Sequence, residues 1–179
     1  DLKKLLRSKI HEERLIALFI LIHQFQRGND EERKIIFQFY LQHTRWINNW
    51  DLVDLSADKI AGEYLWANPK ERKILVKLAR SKHLWEKRIA MIATYAFLKH
   101  GKSQETYRIA RILLQDPHDL IHKAVGWMLR EVGKRVSLEG EKRFLKKYAA
   151  SMPRTTLRYA IEKFSLAERQ KYRTRRGLQ

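Results

Sequence analysis

DLIHKAVGWMLREVGKR, residues 119–135, is the stretch whose reading decides the fold. Ile121, Ala124, Val125, Met128, Leu129 and Val132 fall at i, i+3, i+4, i+7, i+8 and i+11, so one stripe of a helix is apolar and the rest is polar. Upstream, Trp85, Ile89, Ile92, Ala93 and Ala96 follow nearly the same pattern. A shift of 36 superposes the two sets and places Lys87 on Lys123 and Ala90 on Gly126. Moving back from Lys87 by 73, about two repeats, reaches Arg14 and carries Ala90 onto Ala17. Amphipathic helices recurring in this way bury their apolar faces by stacking on one another. The expected fold is all-α, an α-solenoid of HEAT-like helix-pair repeats with a concave basic face. The period is shorter than the roughly 40 to 47 residues of standard HEAT units, and an ordinary helical bundle with a chance alignment is the alternative.

Working outward, Pro69, Pro117 and Pro153 sit where helices would start, with Asn68 and Asp116 placed to cap and an acid following in the first turn. Gly28, Gly101 and Gly140 fall between periodic segments and read as breaks. Residues 1–179 are read as one repeat domain. Asp1 opens a stretch, DLKKLLRSKI, that resembles the interior of a helical region, so a start downstream of the natural one is expected, and QKYRTRRGLQ (170–179) reads as a frayed basic tail.

Lysine plus arginine number 38 against 20 acids, a net charge of +18 spread along the whole chain. Such a surplus points to a polyanion. The apolar run LIALFILI (15–22) is far shorter than the roughly 18 residues that span a bilayer, so a membrane is not an expected partner. The chain has no cysteine, hence no disulfide and no thiolate metal site, and its histidines show no metal spacing with acids. No metal and no other cofactor are expected, and the expected form is a cytoplasmic, nucleoid-associated monomer.

On a helical wheel Lys123, Gly126 and Arg130 point away from the apolar stripe. In register, Arg14, Lys87 and Lys123 would form a basic ladder for phosphates, with small residues beside it admitting a backbone; the plainer reading is a solvated helix face. One repeat before Ala90 the register lands on Asp54, where the other repeats carry alanine or glycine. A carboxylate repels phosphate, so an acid there needs another use. It could cap the helix beginning near SADKIAGEYL (56–65) or bond to Asn48 or Asn49; Asp51 reads as a plain capping residue. Trp127 lies on the flank of its helix between Lys123 and Arg130, and Trp50, four residues before Asp54, shares its face if both are on one helix. For Trp50, core packing is equally consistent. An aromatic ring among cations can stack on a sugar or base, or attract a cationic base.

Those groups suit one chemistry in particular. Alkylation at N3 or N7 makes a purine cationic and a good leaving group, so its glycosidic bond breaks with little help from a general acid. The sugar becomes oxocarbenium-like, and one carboxylate can stabilise that charge or position the attacking water. The competing reading is a non-catalytic module that binds DNA structures or RNA through its basic face, with Asp54 structural. A protein-binding scaffold is the third, and it would have no need of +18.

NNWDLVD (48–54), LWEKRIA (84–90), DLIHKAVGWMLREVGKR (119–135) and MPRTTLRYAIEKF (152–164), taken in order, resemble the AlkD-type DNA alkylation repair glycosylases. The resemblance implies a HEAT-like solenoid that cradles duplex DNA and removes N3- and N7-alkylated purines without flipping the base out, unlike most enzymes that act on a base. It places the catalytic aspartate on Asp54, the two site tryptophans on Trp50 and Trp127, and a DNA-contacting arginine on Arg88. The wheel alone puts Arg88 at the edge of the apolar stripe. The family also uses an aromatic residue from helices that precede the region matched by residue 1.

Overall fold

The computed structural model describes residues 1–174. Its helices are α1 (Leu2–Leu6), α2 (His11–Arg27), α3 (Asp30–Gln42), α4 (Trp50–Ser56), α5 (Glu63–Ala67), α6 (Lys73–Ala79), α7 (Leu84–Lys99), α8 (Gln104–Leu113), α9 (Asp119–Arg135), α10 (Leu138–Tyr148), α11 (Arg154–Ala160) and α12 (Leu166–Thr174). A π turn, Asp58–Gly62, joins α4 to α5. No strand occurs among the described residues. Of the basic tail, residues 170–174 belong to α12 and are not frayed, because the helix that starts at Leu166 runs on through them; the last five lie outside the described residues.

The chain is an all-α solenoid-like stack. One row of helices runs α2, α4 with its π turn and α5, α7, α9 and α11, each packed on the next. A second row, α3, α6, α8 and α10, lies against it. The first-row helices begin at residues 11, 50, 84, 119 and 154, so the step is about 35 residues, as expected of a stacked repeat. Ile121, Ala124, Val125, Met128, Leu129 and Val132, the stripe read from the sequence, are all buried. Each Leu, Ile or Met removed from water in this way contributes about 1.5 to 3 kcal/mol. One apolar cluster runs from Leu6 to Phe164.

Helix starts follow local chemistry. Asn29 and Glu32 form a reciprocal capping box at α3, the Asn29 side chain accepting the Glu32 N–H at 3.0 Å and Glu32 accepting the Asn29 N–H at 2.8 Å. His118 caps α9, where the sequence pattern suggests Asp116; Asp116 instead accepts the His118 N–H at 3.0 Å. Gly101 ends α7 with φ +71°, a conformation open to glycine. Gly140 is not a break. It sits inside α10, which begins at the Ser137 cap, and is buried close to the Tyr107 hydroxyl.

Two other glycines set the spacing of the first row. A Cβ on Gly62 would collide with the Ala93 carbonyl oxygen of α7. A Cβ on Gly126 would lie 2.5 Å from the Thr156 carbonyl oxygen and 2.5 Å from Tyr159 Cβ, both of α11. Gly126 therefore admits a neighbouring helix of the same chain, and it is buried, not turned to solvent as the wheel suggests. The wheel locates the centre of a stripe but does not show that α11 covers its flank.

Candidate active site

Asp54 and Arg88 are each the fifth residue of their helices, α4 and α7, which lie side by side. Equal depth in adjacent helices brings them together. Arg88 Nε donates to Asp54 Oδ1 at 2.9 Å and Nη2 to Oδ2 at 2.7 Å, a bidentate pair. Arg88 Nη1 donates to the Leu120 carbonyl of α9 at 2.5 Å. The guanidinium thus ties three first-row helices. Its side chain is 5% exposed and that of Asp54 18%, so the arginine forms the floor and the carboxylate faces outward from it.

Burial raises the Asp54 pKa above the usual carboxylate value; the Arg88 hydrogen bonds and charge act against it, and the charges of Asp51 and Asp58 add to the rise. The guanidinium favours the ionised form, in a site partly withdrawn from water. Asp51 is not the cap of α4. Asn49 is, accepting the Trp50 N–H at 2.8 Å. Asp51 Oδ2 is instead 2.6 Å from His11 Nε2 of α2.

Trp50 stands one turn before Asp54 and is 53% exposed, so it is not core. Trp127 is partly buried and meets Tyr95 of α7, ring centroids 6.4 Å apart. Tyr95 follows Arg88 by seven residues and Trp127 follows Leu120 by seven, so both lie on the same helix sides, about 10 Å further along. Trp50 thus shares α4 with Asp54, and Trp127 stands on α9 beside Tyr95. Asp54 and Arg88 are in contact; the ring that Trp127 meets is that of Tyr95.

The ladder cations are engaged within the protein. Arg14 Nη1 donates to the Ser8 carbonyl at 2.8 Å and Nη2 reaches His11 Nδ1 at 3.4 Å. Lys87 pairs with Asp116, Lys123 with Asp119 at 2.8 Å, and Arg130 with Glu162. Arg88 belongs to Asp54. Sequence reading misses the long-range pairings, and with them Tyr95 and His11, because no periodicity marks their partners; Lys123 and Asp119 are four apart on one helix.

A cavity of about 1080 Å³ opens elsewhere, between α2, α3, α5 and the end of α7, lined in part by Arg33, Trp66 and His100. It includes none of Asp54, Trp50 and Trp127. Among the described residues, no cluster of three or more His, Asp or Glu could hold a metal ion, and no helix is long and apolar enough to cross a membrane.

The family model for the DNA alkylation repair enzyme matches residues 1–164. A solved structure described as a predicted DNA alkylation repair enzyme from Enterococcus faecalis is similar with a TM-score of 0.73 at 17% identity, over 92% of this chain and 74% of that one. At that identity the likeness speaks for the fold. No curated protein matches the sequence. The family match covers nearly the whole chain, and the protein belongs to the DNA alkylation repair enzyme family.

Proposed function

We propose that the protein is a monofunctional DNA glycosylase that hydrolyses the N-glycosidic bond of cationic N3- and N7-alkylated purines in duplex DNA. The observation that carries this reading is Asp54, a carboxylate held by Arg88 yet open on its outer side, one turn from an exposed indole. An alkylated purine leaves with the electrons of its bond to C1′ and becomes neutral. The sugar left behind is an oxocarbenium ion. Asp54 stabilises that charge across a site of low effective dielectric and orients the water whose oxygen bonds to C1′, while the water proton passes to solvent. Arg88 is a positioning residue that aims the carboxylate. Trp50 and Trp127 offer aromatic faces to the cationic base and the deoxyribose. Membership in a DNA repair family supports the substrate. Nothing in the site supplies a lysine nucleophile for a Schiff base, so the expected product is an abasic site in an intact strand.

Release of 7-methylguanine from methylated duplex by wild type and Asp54→Asn tests the proposal. The expected loss is about 100-fold or more, the scale for removing one preorganised electrostatic group. Equal rates would take Asp54 out of the mechanism. One observation favours the rival, a non-catalytic module for DNA structures or RNA: the Asp54–Arg88 pair also ties α4 to α7 and so has a structural use. Salt-dependent binding to undamaged duplex with no base release would select that reading.

A further inference from the structure

Arg14, Lys87 and Arg88 are engaged in partly buried contacts, and Lys123 and Arg130 pair with exposed acids, so cations without a carboxylate partner are the readier ones for a phosphate backbone. We propose that Arg7 and Arg45, held against Trp46, form a phosphate clamp that seats one strand of duplex DNA beside Trp50.

Arg7 closes α1 and Arg45 lies in the short 3₁₀ turn Thr44–Trp46 that precedes α4. Both side chains are exposed, and their guanidinium carbons stand 5.3 and 5.0 Å from the centroid of the same Trp46 ring. Trp46 is packed against the core, so the ring is a fixed platform. Contact with an aromatic face holds a guanidinium while leaving its in-plane N–H groups to donate, the geometry that phosphate oxygens accept. Neither arginine has a carboxylate partner among the described residues. Two acids of neighbouring elements are already engaged, Asp51 by His11 and Glu86 by the Thr44 hydroxyl at 2.8 Å, while Glu12 and Glu13 stand in the first turn of α2. Lys3, Lys4 and Lys9, on the elements that carry and follow Arg7, are exposed and add charge of the same sign.

The place of the cluster ties it to the site. Three residues separate Trp46 from Trp50, and the chain that follows Arg7 enters α2 at His11, which bonds to Asp51 in the first turn of α4. Two separate stretches of chain therefore converge on the end of α4 that bears Trp50. This inference rests on the reading of duplex DNA as the partner, and not on base excision.

The test is the salt dependence of binding to undamaged duplex. The slope of log K against log salt should fall in magnitude by roughly 2 in Arg7→Gln/Arg45→Gln, close to one for each phosphate no longer neutralised, and by roughly 1 in either single variant. Arg7→Lys/Arg45→Lys should keep most of the slope because the charges remain. Lys102→Gln/Lys146→Gln, two exposed positions away from this edge, should leave it unchanged. An unchanged slope in the double arginine variant, its melting curve matching wild type, would overturn the clamp. So would an equal loss in the lysine control, which would reduce the effect to net charge. Should the double arginine variant fail to fold, the single variants carry the same test. Because base release is measured separately, a chain that excises nothing but loses the slope refutes the glycosylase and keeps the clamp, and the converse result does the opposite.

Discussion

Asp54 and Glu141 are both carboxylates drawn away from bulk water, one between α4 and α7, the other between α10 and α9, and their surroundings treat them differently. Asp54 meets a guanidinium with both oxygens. Glu141 is 2% exposed, one of its oxygens has no hydrogen-bond partner, and the other occupies the space that the missing side chain of Gly133 leaves. Burial pushes the Glu141 pKa up to about 8, with the charges of Arg130 and Lys142 acting against the rise. At neutral pH Glu141 is therefore mostly the neutral acid and a piece of packing. Asp54 has a fixed cation against both oxygens that favours its ionised form, which is what a site that stabilises a developing positive charge requires.

The largest effect expected from breaking this contrast is at Arg88. Arg88→Met leaves Asp54 without its partner and the Leu120 carbonyl without its donor, and should destabilise the fold by about 3 kcal/mol or more by chemical denaturation. The double variant Asp54→Leu/Arg88→Met should regain much of that, since an apolar pair replaces an orphaned charge. A double variant no more stable than the single would show that the arginine acts through something other than the carboxylate.

Next comes Glu141→Gln. The folded-state pKa of Glu141 lies above the ordinary value of 4.5, so between those two values the folded chain holds a proton that the unfolded chain has released. Stability then falls as pH rises through that window, and the deficit is complete above about 8. Glu141→Gln removes it, and the variant should exceed wild type by on the order of 3 kcal/mol at pH 9, with little difference at pH 4. Parallel melting curves across pH would mean that Glu141 carries no such burden. A smaller change is expected from Gly133→Ala, which collides with the Glu141 carboxylate and should lower stability by about 1 to 3 kcal/mol unless that side chain swings outward. Asp51→Asn should have the least effect on stability. By removing a neighbouring negative charge it should move the acid limb of activity to lower pH, because Asp51 is one of the groups that raise the Asp54 pKa.

The helices were legible from local patterns. The stripe of α9 and that of α7 depend on spacing within one element, and burial follows them except at Trp85, which is half-buried. The faces between elements were not legible. A constant shift of 36 carries Ala90 onto Asp54, whereas the residue that meets Asp54 is Arg88, 34 positions on. The connections differ in length, so the step between helices varies, and a slip of two residues turns a position by about 200° around its helix. Gly126 looks solvent-facing on a wheel for the same reason, since only the path of α11 shows what covers it. Lys87 and Arg130 pair with Asp116 and Glu162, about 30 residues away and invisible to local spacing, whereas Lys123 pairs with Asp119 four residues before it, a spacing the sequence shows. The charge complementarity of Asp54 and Arg88 one repeat apart was the signal that could have found the pair.

The central claim is that an ionised Asp54 faces the reacting sugar, and the pH dependence of single-turnover release of 7-methylguanine tests it most directly. The account predicts that, after subtraction of spontaneous loss, the rate falls as pH drops through an Asp54 pKa above the ordinary 3.8, and that Asp54→Asn, still bound to DNA, is slow at every pH. A wild-type rate that stays level into acid, or an Asp54→Asn rate equal to wild type, would contradict it.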